Sequence, residues 1–264
     1  MSFVKEVYQV LCEFAPENLA EDWDPIGPQI YFPQEKVRGI LLCLDVTDKV
    51  LEEAINQNCN VIVSHHPMFF KGLQRIDIED YKSNLIYQAL KEKISILSAH
   101  TNLDRTENGV NDALAEKLGL KDLEPLYLDD QGRNLGYLAK GQFKTMEDLL
   151  ARLEDLVQYR DPIIYGRLPQ SLEKIAILGG SGAEFLDTAI QAGADLLITG
   201  DVKYHDGQDA YEKNFCLIDI GHYDSEKYVL EKLQDLFKEE RTVLYESCDF
   251  IIQKCFLDRK TSRC

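Results

Sequence analysis

The chain has 264 residues, with 46 acidic against 29 basic side chains and a formal net charge of −17. A surface of that sign repels phosphate backbones and anionic membranes, so general nucleic-acid binding is disfavoured, and the length is enough for one large or two modest cores. The N-terminus lacks an uninterrupted apolar signal core and no stretch approaches membrane-spanning length, so a soluble, cytoplasmic protein without membrane contact is expected.

In chain order, residues 37–46 form a short apolar run, and Thr47 with Asp48 offers a cap for an amphipathic stretch from Lys49 to Gln57. Val61–Ser64 is a second run, a helical pattern surrounds Leu85–Lys93, and Ile94–Ala99 is a third run. Residues 135–143 have β character, Met146–Val157 reads as an amphipathic helix, and Pro162–Arg167 returns as a strand. The last third repeats the alternation: Ile175–Leu178 run, Glu184–Ala192 helix, Asp195–Thr199 run, Asp209–Lys213 short helix, Cys216–Ile220 run, Ser225–Glu239 amphipathic helix. Strands that are apolar on both faces and alternate with helices predict an α/β fold with mostly parallel, helix-covered sheets.

Ile40–His66 overlays Ile175–Asp201 without gaps, pairing Ala54 with Ala189 and Val61–Ser64 with Leu196–Thr199. His100-x-x-x-Asp104 likewise overlays His222-x-x-x-Glu226. Any two βαβ units share the first match; two matches ending at polar groups predict two pseudo-duplicated α/β domains. The expected divisions are 1–125 for the first half, 126–170 for a ββ/α connector belonging to the second, and 171–264 for the second half. Seven cysteines, scattered and without a Cys-x-x-Cys pair, fit reduced core thiols better than a disulfide framework or a thiolate metal site.

Four of the five histidines sit with carboxylates at segment ends. Ser64-His65-His66-Pro67, Ala99-His100-Thr101 and Gly221-His222-Tyr223 each follow an apolar run and would empty onto one rim, beyond the carboxyl ends of the strands, where ligands gather in open sheets. Imidazole and carboxylate are ligands that first-row divalent metals prefer. Neighbouring side chains of an extended segment point opposite ways, so His65 and His66 are placed to serve two ions, with Asp104 or Glu226 as the bridge. Each piece also has an ordinary explanation: a His-His-Pro turn, a His222–Glu226 contact one helical turn apart, an Asp104 cap. Their conjunction is what those explanations leave out. Gly179-Gly180-Ser181-Gly182 is either an anion cradle or a tight strand-to-helix turn, and Tyr137, Tyr165 and Tyr204 are either cavity-lining or half-buried packing residues.

Trp23-Asp24-Pro25-x-Gly27, Val63-Ser64-His65-His66-Pro67, Ser98-Ala99-His100-Thr101-Asn102-Leu103-Asp104, Thr199-Gly200-Asp201-x-x-x-His205 and Gly221-His222-x-x-Ser225-Glu226 run along nearly the whole chain. In that order they resemble the NIF-three-like family (Ngg-one interacting factor three), often labelled GTP cyclohydrolase I type 2 homologues. The resemblance implies a hexameric toroid with a dinuclear centre facing an internal cavity. Residue by residue it implies metal ligands His65, His66, Asp104, His222 and Glu226, with Glu226 as the bridge. It places His100 and His205 near the centre as candidates for proton transfer. Pro25 and Pro28 stiffen the Trp23 segment relative to the usual version. Three imidazoles and two carboxylates without a thiolate suit two ions of Zn, Mn, Fe or Co. The implied activity is metal-dependent hydrolysis of a small molecule such as a nucleotide; the alternative is a non-enzymatic metal-binding hexamer with a regulatory or protein-binding role.

Overall fold

The computed structural model describes residues 2–250. Its elements are α1 (Val4–Phe14), β1 (Gly27–Ile30), β2 (Ile40–Cys43), α2 (Asp48–Asn56), β3 (Val61–Ser64), α3 (Tyr81–Lys91), β4 (Ser95–Ser98), α4 (Thr101–Arg105), α5 (Val110–Leu118), β5 (Lys121–Leu128), β6 (Asn134–Lys140), α6 (Met146–Leu156), β7 (Ile163–Gly166), β8 (Lys174–Ile177), α7 (Leu186–Gln191), β9 (Leu196–Thr199), α8 (Tyr204–Glu212), β10 (Cys216–Asp219), α9 (His222–Glu226), α10 (Val229–Leu236) and β11 (Thr242–Leu244).

Two sheets organise these elements. The first has the order β1-β4-β3-β2-β11, and the second β5-β6-β8-β9-β10-β7. Pairings from β11 through β2 and β3 to β4 are parallel, as are β8–β9 and β9–β10; β1, β5, β6 and β7 add antiparallel strands at the edges. The central strands β2, β3, β4, β9 and β10 are buried at every position, as expected where helices cover both faces. Alternate residues feed opposite layers. Ile40, Leu42, Val61 and Val63 pack with α1 and α10, whereas Leu41, Cys43 and Ile62 pack with α2 and α3. In the second sheet Ile175, Ile177 and Ile198 face α5 and α6, and Ala176 and Leu197 face α7 and α8. Ala54 and Ala189, paired by the sequence overlay, are both fully buried at matching helix positions.

Helix ends follow local chemistry. Thr47 Oγ1 accepts from Val50 N to start α2, Asp80 accepts from Ser83 N to start α3, and Gly119, at φ +73°, ends α5 in the left-handed region where glycine costs least. Two expectations shift. The single helix expected over Ser225–Glu239 is two, because Lys227 Nζ and Tyr228 Oη both donate to Leu156 O and pin a turn between α9 and α10 against the end of α6. The short helix expected over Asp209–Lys213 begins earlier, at Tyr204, where the Asp206 carboxylate accepts the Lys203 amide.

The sheets also cross the divisions drawn from sequence. β5 opens the second sheet, although its first residues fall before 126. α10 packs under the first sheet, and β11 pairs with β2, although both fall after 171. An open β2 edge would expose unpaired backbone, and the returning chain covers it. Cys43, Cys59, Cys216 and Cys248 are buried in the core, as the composition suggests, while Cys255 and Cys264 lie outside the described residues. Among the described residues no helix is long and apolar enough to cross a membrane.

Candidate metal centre

Strand register builds the site. His65 and His66 follow the last residue of β3, and their amides donate to Cys43 O and Leu44 O, continuing the parallel ladder. Two residues past β2 the same ladder delivers Asp45 beside His66. β4 ends at Ser98 and releases His100 and α4, which carries Asp104. In the second sheet β9 delivers Asp201, while β10 delivers α9, whose first and last residues are His222 and Glu226. β1 runs antiparallel to β4 with Gly27 opposite Ser98, so Asp24, three residues before Gly27, meets Thr101, three residues after Ser98.

The four imidazoles share one arrangement. His66 Nδ1 lies 2.8 Å from Asp45 Oδ1, His222 Nδ1 2.8 Å from Asp201 Oδ2, His100 Nδ1 3.1 Å from both Asp24 oxygens, and His65 Nδ1 3.0 Å from Ala99 O. Ionised carboxylates and carbonyls only accept, so each Nδ1 donates and each Nε2 lone pair is left for the interior. There His65 Nε2 stands 3.6 Å from Asp104 Oδ1 and 3.6 Å from Glu226 Oε1. Glu226 Oε2 stands 3.1 Å from His66 Nε2 and 3.2 Å from His222 Nε2, and those two nitrogens are 3.2 Å apart.

Acceptors therefore face acceptors. His65 Nε2, Asp104 Oδ1 and Glu226 Oε2 are buried without a hydrogen-bond partner, a condition that calls for a cation. Protons are one remedy on the His66 and His222 side. Burial resists charge on His66, but the Glu226 carboxylate and the Asp45 bond outweigh it and push the imidazole up to about 10. The Glu226 carboxylate, against burial and with help from Asp201, pushes His222 up to about 11. Burial opposes the Glu226 charge too, yet His222, His65 and His66 hold that carboxyl well below its ordinary range. Burial raises Asp104, with the nearby Glu226 charge adding to it. A metal ion is the other remedy. Ligands around a tetrahedral ion at 2.0–2.1 Å stand about 3.4 Å from one another, close to the 3.6 Å separations around His65. Among the described residues three sets of side chains could hold an ion: His65 with Asp104 and Glu226, His66 with His222 and Glu226, and His65 with His66 and His100. The donor set, nitrogen and oxygen without sulfur, fits borderline first-row divalents.

A cavity of about 710 Å³ opens above the cluster, floored by His66, Asp104, His222 and Glu226, with His100 and Trp23 on its wall. A second cavity, of about 390 Å³, reaches His66, His222 and Asp45 from another side. The 179–182 turn closes the floor. Gly179 N donates to Asn111 Oδ1, Gly180 N to Ser225 Oγ and Gly182 N to Thr199 Oγ1, so these amides are already taken and do not form an anion cradle. Gly180, at φ +71°, has no room for a Cβ, which would strike Glu226 Oε1. Gly180 serves close approach of the backbone to the carboxylate.

Of the site residues read from sequence, His65, His66, His100, Asp104, His222 and Glu226 converge. His205 does not: it is exposed on α8, its ring against Tyr204 and its Nδ1 3.4 Å from Gln208 Oε1. Tyr137, Tyr165 and Tyr204 do not line the larger cavity either; Tyr137 donates instead to Asp112. Asp24, Asp45 and Asp201 are imidazole partners that the local sequence pattern does not reveal. Each stands within a few residues of a strand end, but only the register assigns the pairs.

The fold and site define a class: a two-sheet α/β protein with a buried histidine–carboxylate cluster at its strand-end rim, able to hold metal. The family described as Duf34/NIF3 (NGG1p interacting factor 3) matches residues 2–255, and the chain belongs to that family. A Clostridium perfringens protein called GTP cyclohydrolase 1 type 2 homolog is 32% identical over 257 residues, covering 95% of this chain and 96% of that one. A Clostridium acetobutylicum protein of the same name is 32% identical over 227 residues, covering 84% and 85%. Among solved structures, a Bacillus cereus protein related to NIF3 superposes with a TM-score of 0.84 at 23% identity, covering 94% and 97% of the two chains. A Staphylococcus aureus hypothetical protein superposes with 0.81 at 27% identity, covering 92% and 96%.

Proposed function

We propose that this chain is a dinuclear metal-dependent hydrolase acting on a nucleotide or a related small molecule. His65, Asp104 and Glu226 would hold one divalent ion, and His66, His222 and Glu226 the other. The observation that carries the reading is the divided environment of Glu226: one oxygen faces His65, the other faces His66 and His222. Two ions held there would supply a water of lowered pKa and polarise a substrate bond. The protein supplies the rest. Asp45 and Asp201 fix the His66 and His222 rings, and Asp24 holds His100 with Nε2 turned from the carboxylate, placed to move a proton at the cavity wall. His205, exposed on α8, has no part in this reading.

The name shared by the curated relatives, GTP cyclohydrolase 1 type 2 homolog, supports a nucleotide as the first substrate to try. Zn, Mn, Fe and Co all suit the donors. Elemental analysis of protein purified without chelators, with turnover measured on a nucleotide and phosphoester panel before and after metal removal, tests the reading. Turnover that appears only with metal is expected. Metal-loaded protein inert on the whole panel would favour the second reading, a non-enzymatic metal-binding homohexamer with a regulatory role, which the words "interacting factor" in the family description support. Light scattering checks the hexamer.

A further inference from the structure

Among the described residues four exposed aromatic rings line the larger cavity, Trp23, Phe70, Tyr81 and Phe250, and the first two stand beside His100. Trp23 is 64% exposed and Phe70 51% exposed, both line the cavity, and both meet the His100 ring in T-shaped contacts, at centroid distances of 6.2 and 5.7 Å. Large aromatics ordinarily bury most of their surface, so rings left open beside a polar cluster offer faces that the fold itself does not use. Their positions are built. The neighbouring Asp24 is anchored by His100 and Thr101, and Gln29 ties the two segments together: its Nε2 donates to Pro25 O at 2.6 Å, and its Oε1 accepts the Phe69 amide at 3.1 Å.

The charges around these rings select further. Apart from the imidazoles, the cations lining the cavity among the described residues are Lys82 and Arg105. Both are engaged: Lys82 Nζ donates to Met68 O, and Arg105 divides its guanidinium between Asp129 and Glu21. Glu21, Asp45 and Glu184 add negative charge to the same walls. A polyphosphate entering past these rings meets acidic walls with no unengaged lysine or arginine, whereas an uncharged ring meets open aromatic faces, Trp23 and Phe70 nearest His100.

The geometry points to an uncharged planar heteroaromatic of nucleobase or nucleoside type as the ligand of this cavity, stacked on Trp23 and Phe70 beside His100. The inference rests on the small-molecule reading of the same site and narrows it: the ring, not a triphosphate, is what the outer cavity recognises.

Trp23 is the chain's one tryptophan, so its fluorescence reports on this mouth alone. Full-length protein, metal-loaded and chelator-stripped, is titrated with guanosine, GTP and ribose 5-phosphate. Saturable quenching by guanosine in both forms is expected, with none by ribose 5-phosphate. Stripped protein should bind guanosine more tightly than GTP. Phe70→Ala should weaken guanosine at least about fivefold, the lower range for loss of one stacking face. Because Phe70 is exposed, that variant should keep the wild-type melting temperature. Calorimetry on Trp23→Ala repeats the test without the reporter, with a similar weakening expected. Absent quenching, unchanged affinity in both variants, or GTP preferred by stripped protein would overturn the inference. Guanosine binding without any metal-dependent turnover would sink the hydrolase reading and leave this one standing; metal-dependent turnover without ring binding would do the reverse.

Discussion

Glu226 joins two triads that differ in composition and in surroundings. In the inner one His65 is fully buried, lines neither cavity, and sits 3.6 Å from two carboxylate oxygens, too far for hydrogen bonds. The histidines of the outer one are more exposed. His66 and His222 approach Glu226 Oε2 at 3.1 and 3.2 Å, each is backed by a carboxylate, and two cavities reach them. Protons can quiet the outer triad in the absence of metal, since both imidazoles are pushed up to about 10 and 11. The inner triad has only one imidazole for two carboxylates, and its acceptors remain orphaned. An uncompensated buried acceptor is the stronger demand for a cation, and the inner triad makes it.

The largest effect should come from the shared residue. Glu226→Ala removes the carboxylate from both triads and leaves two ions repelling across a few ångströms, so both should be lost on gel filtration. Asp104→Ala should empty only the inner site and His222→Ala only the outer. Metal content per chain, by elemental analysis, reads all three. Full metal content in Glu226→Ala would place the bridge elsewhere, and equal losses in Asp104→Ala and His222→Ala would erase the distinction between the triads.

Next in size is His100, which touches both triads through ring contacts with His65 and His66 at 5.2 and 5.5 Å. If it moves protons, His100→Ala should keep metal content and lower turnover by roughly 10²–10⁴. His205→Ala, an exposed position on α8, should change neither. Loss of metal in His100→Ala would make it a ligand instead, an arrangement that its grouping with His65 and His66 permits.

The outer triad should also depend on its backing carboxylates. Asp45→Asn and Asp201→Asn keep the shape but let the amide present a donor to Nδ1, which disturbs the tautomer that frees Nε2. A loss of about 10–100-fold in outer-site metal affinity is expected, with the inner site spared because His65 leans on a backbone carbonyl. Competition titration with a chromophoric chelator resolves the two sites, and an equal loss at both would count against separate backing.

How much of this was legible follows the range of the signal. His65, His66, His100 and His222 each follow an apolar run by a few residues, so local pattern was enough to bring them to one rim. The β2–α2–β3 and β8–α7–β9 correspondence was legible for the same reason. Asp24, Asp45 and Asp201 needed register: only the pairing of Gly27 with Ser98, of Cys43 with Ser64 and of Thr199 with Asp219 assigns each to its histidine. The return of α10 and β11 to the first sheet escaped because a three-residue edge strand carries almost no periodicity. His205 shares a motif with Asp201, but α8 begins between them and carries it outward.

The smallest expected effect lies behind the inner triad. Arg105 follows Asp104, is buried, and is held by Glu21 and by Asp129 at 2.7 Å. Asp129 also accepts from Arg133 Nε at 2.6 Å and from the Gln131 and Arg133 amides. Against the desolvation that would raise it, these bonds hold its carboxyl far below the usual range. A depressed folded pKa stabilises the fold above the unfolded value, about 3.9, and that contribution drains away as pH falls from there toward the folded value. Asp129→Asn should therefore melt below wild type by a constant margin from neutral pH down to about 4, and the margin should shrink at lower pH. Thermal melts of chelator-treated protein would read it, and a margin unchanged down to roughly pH 2 would refute the linkage. With the Arg105 anchor weakened, the same variant should lose a little metal affinity at the inner site and none at the outer, because the anchor touches the chain next to Asp104 and nothing next to His222.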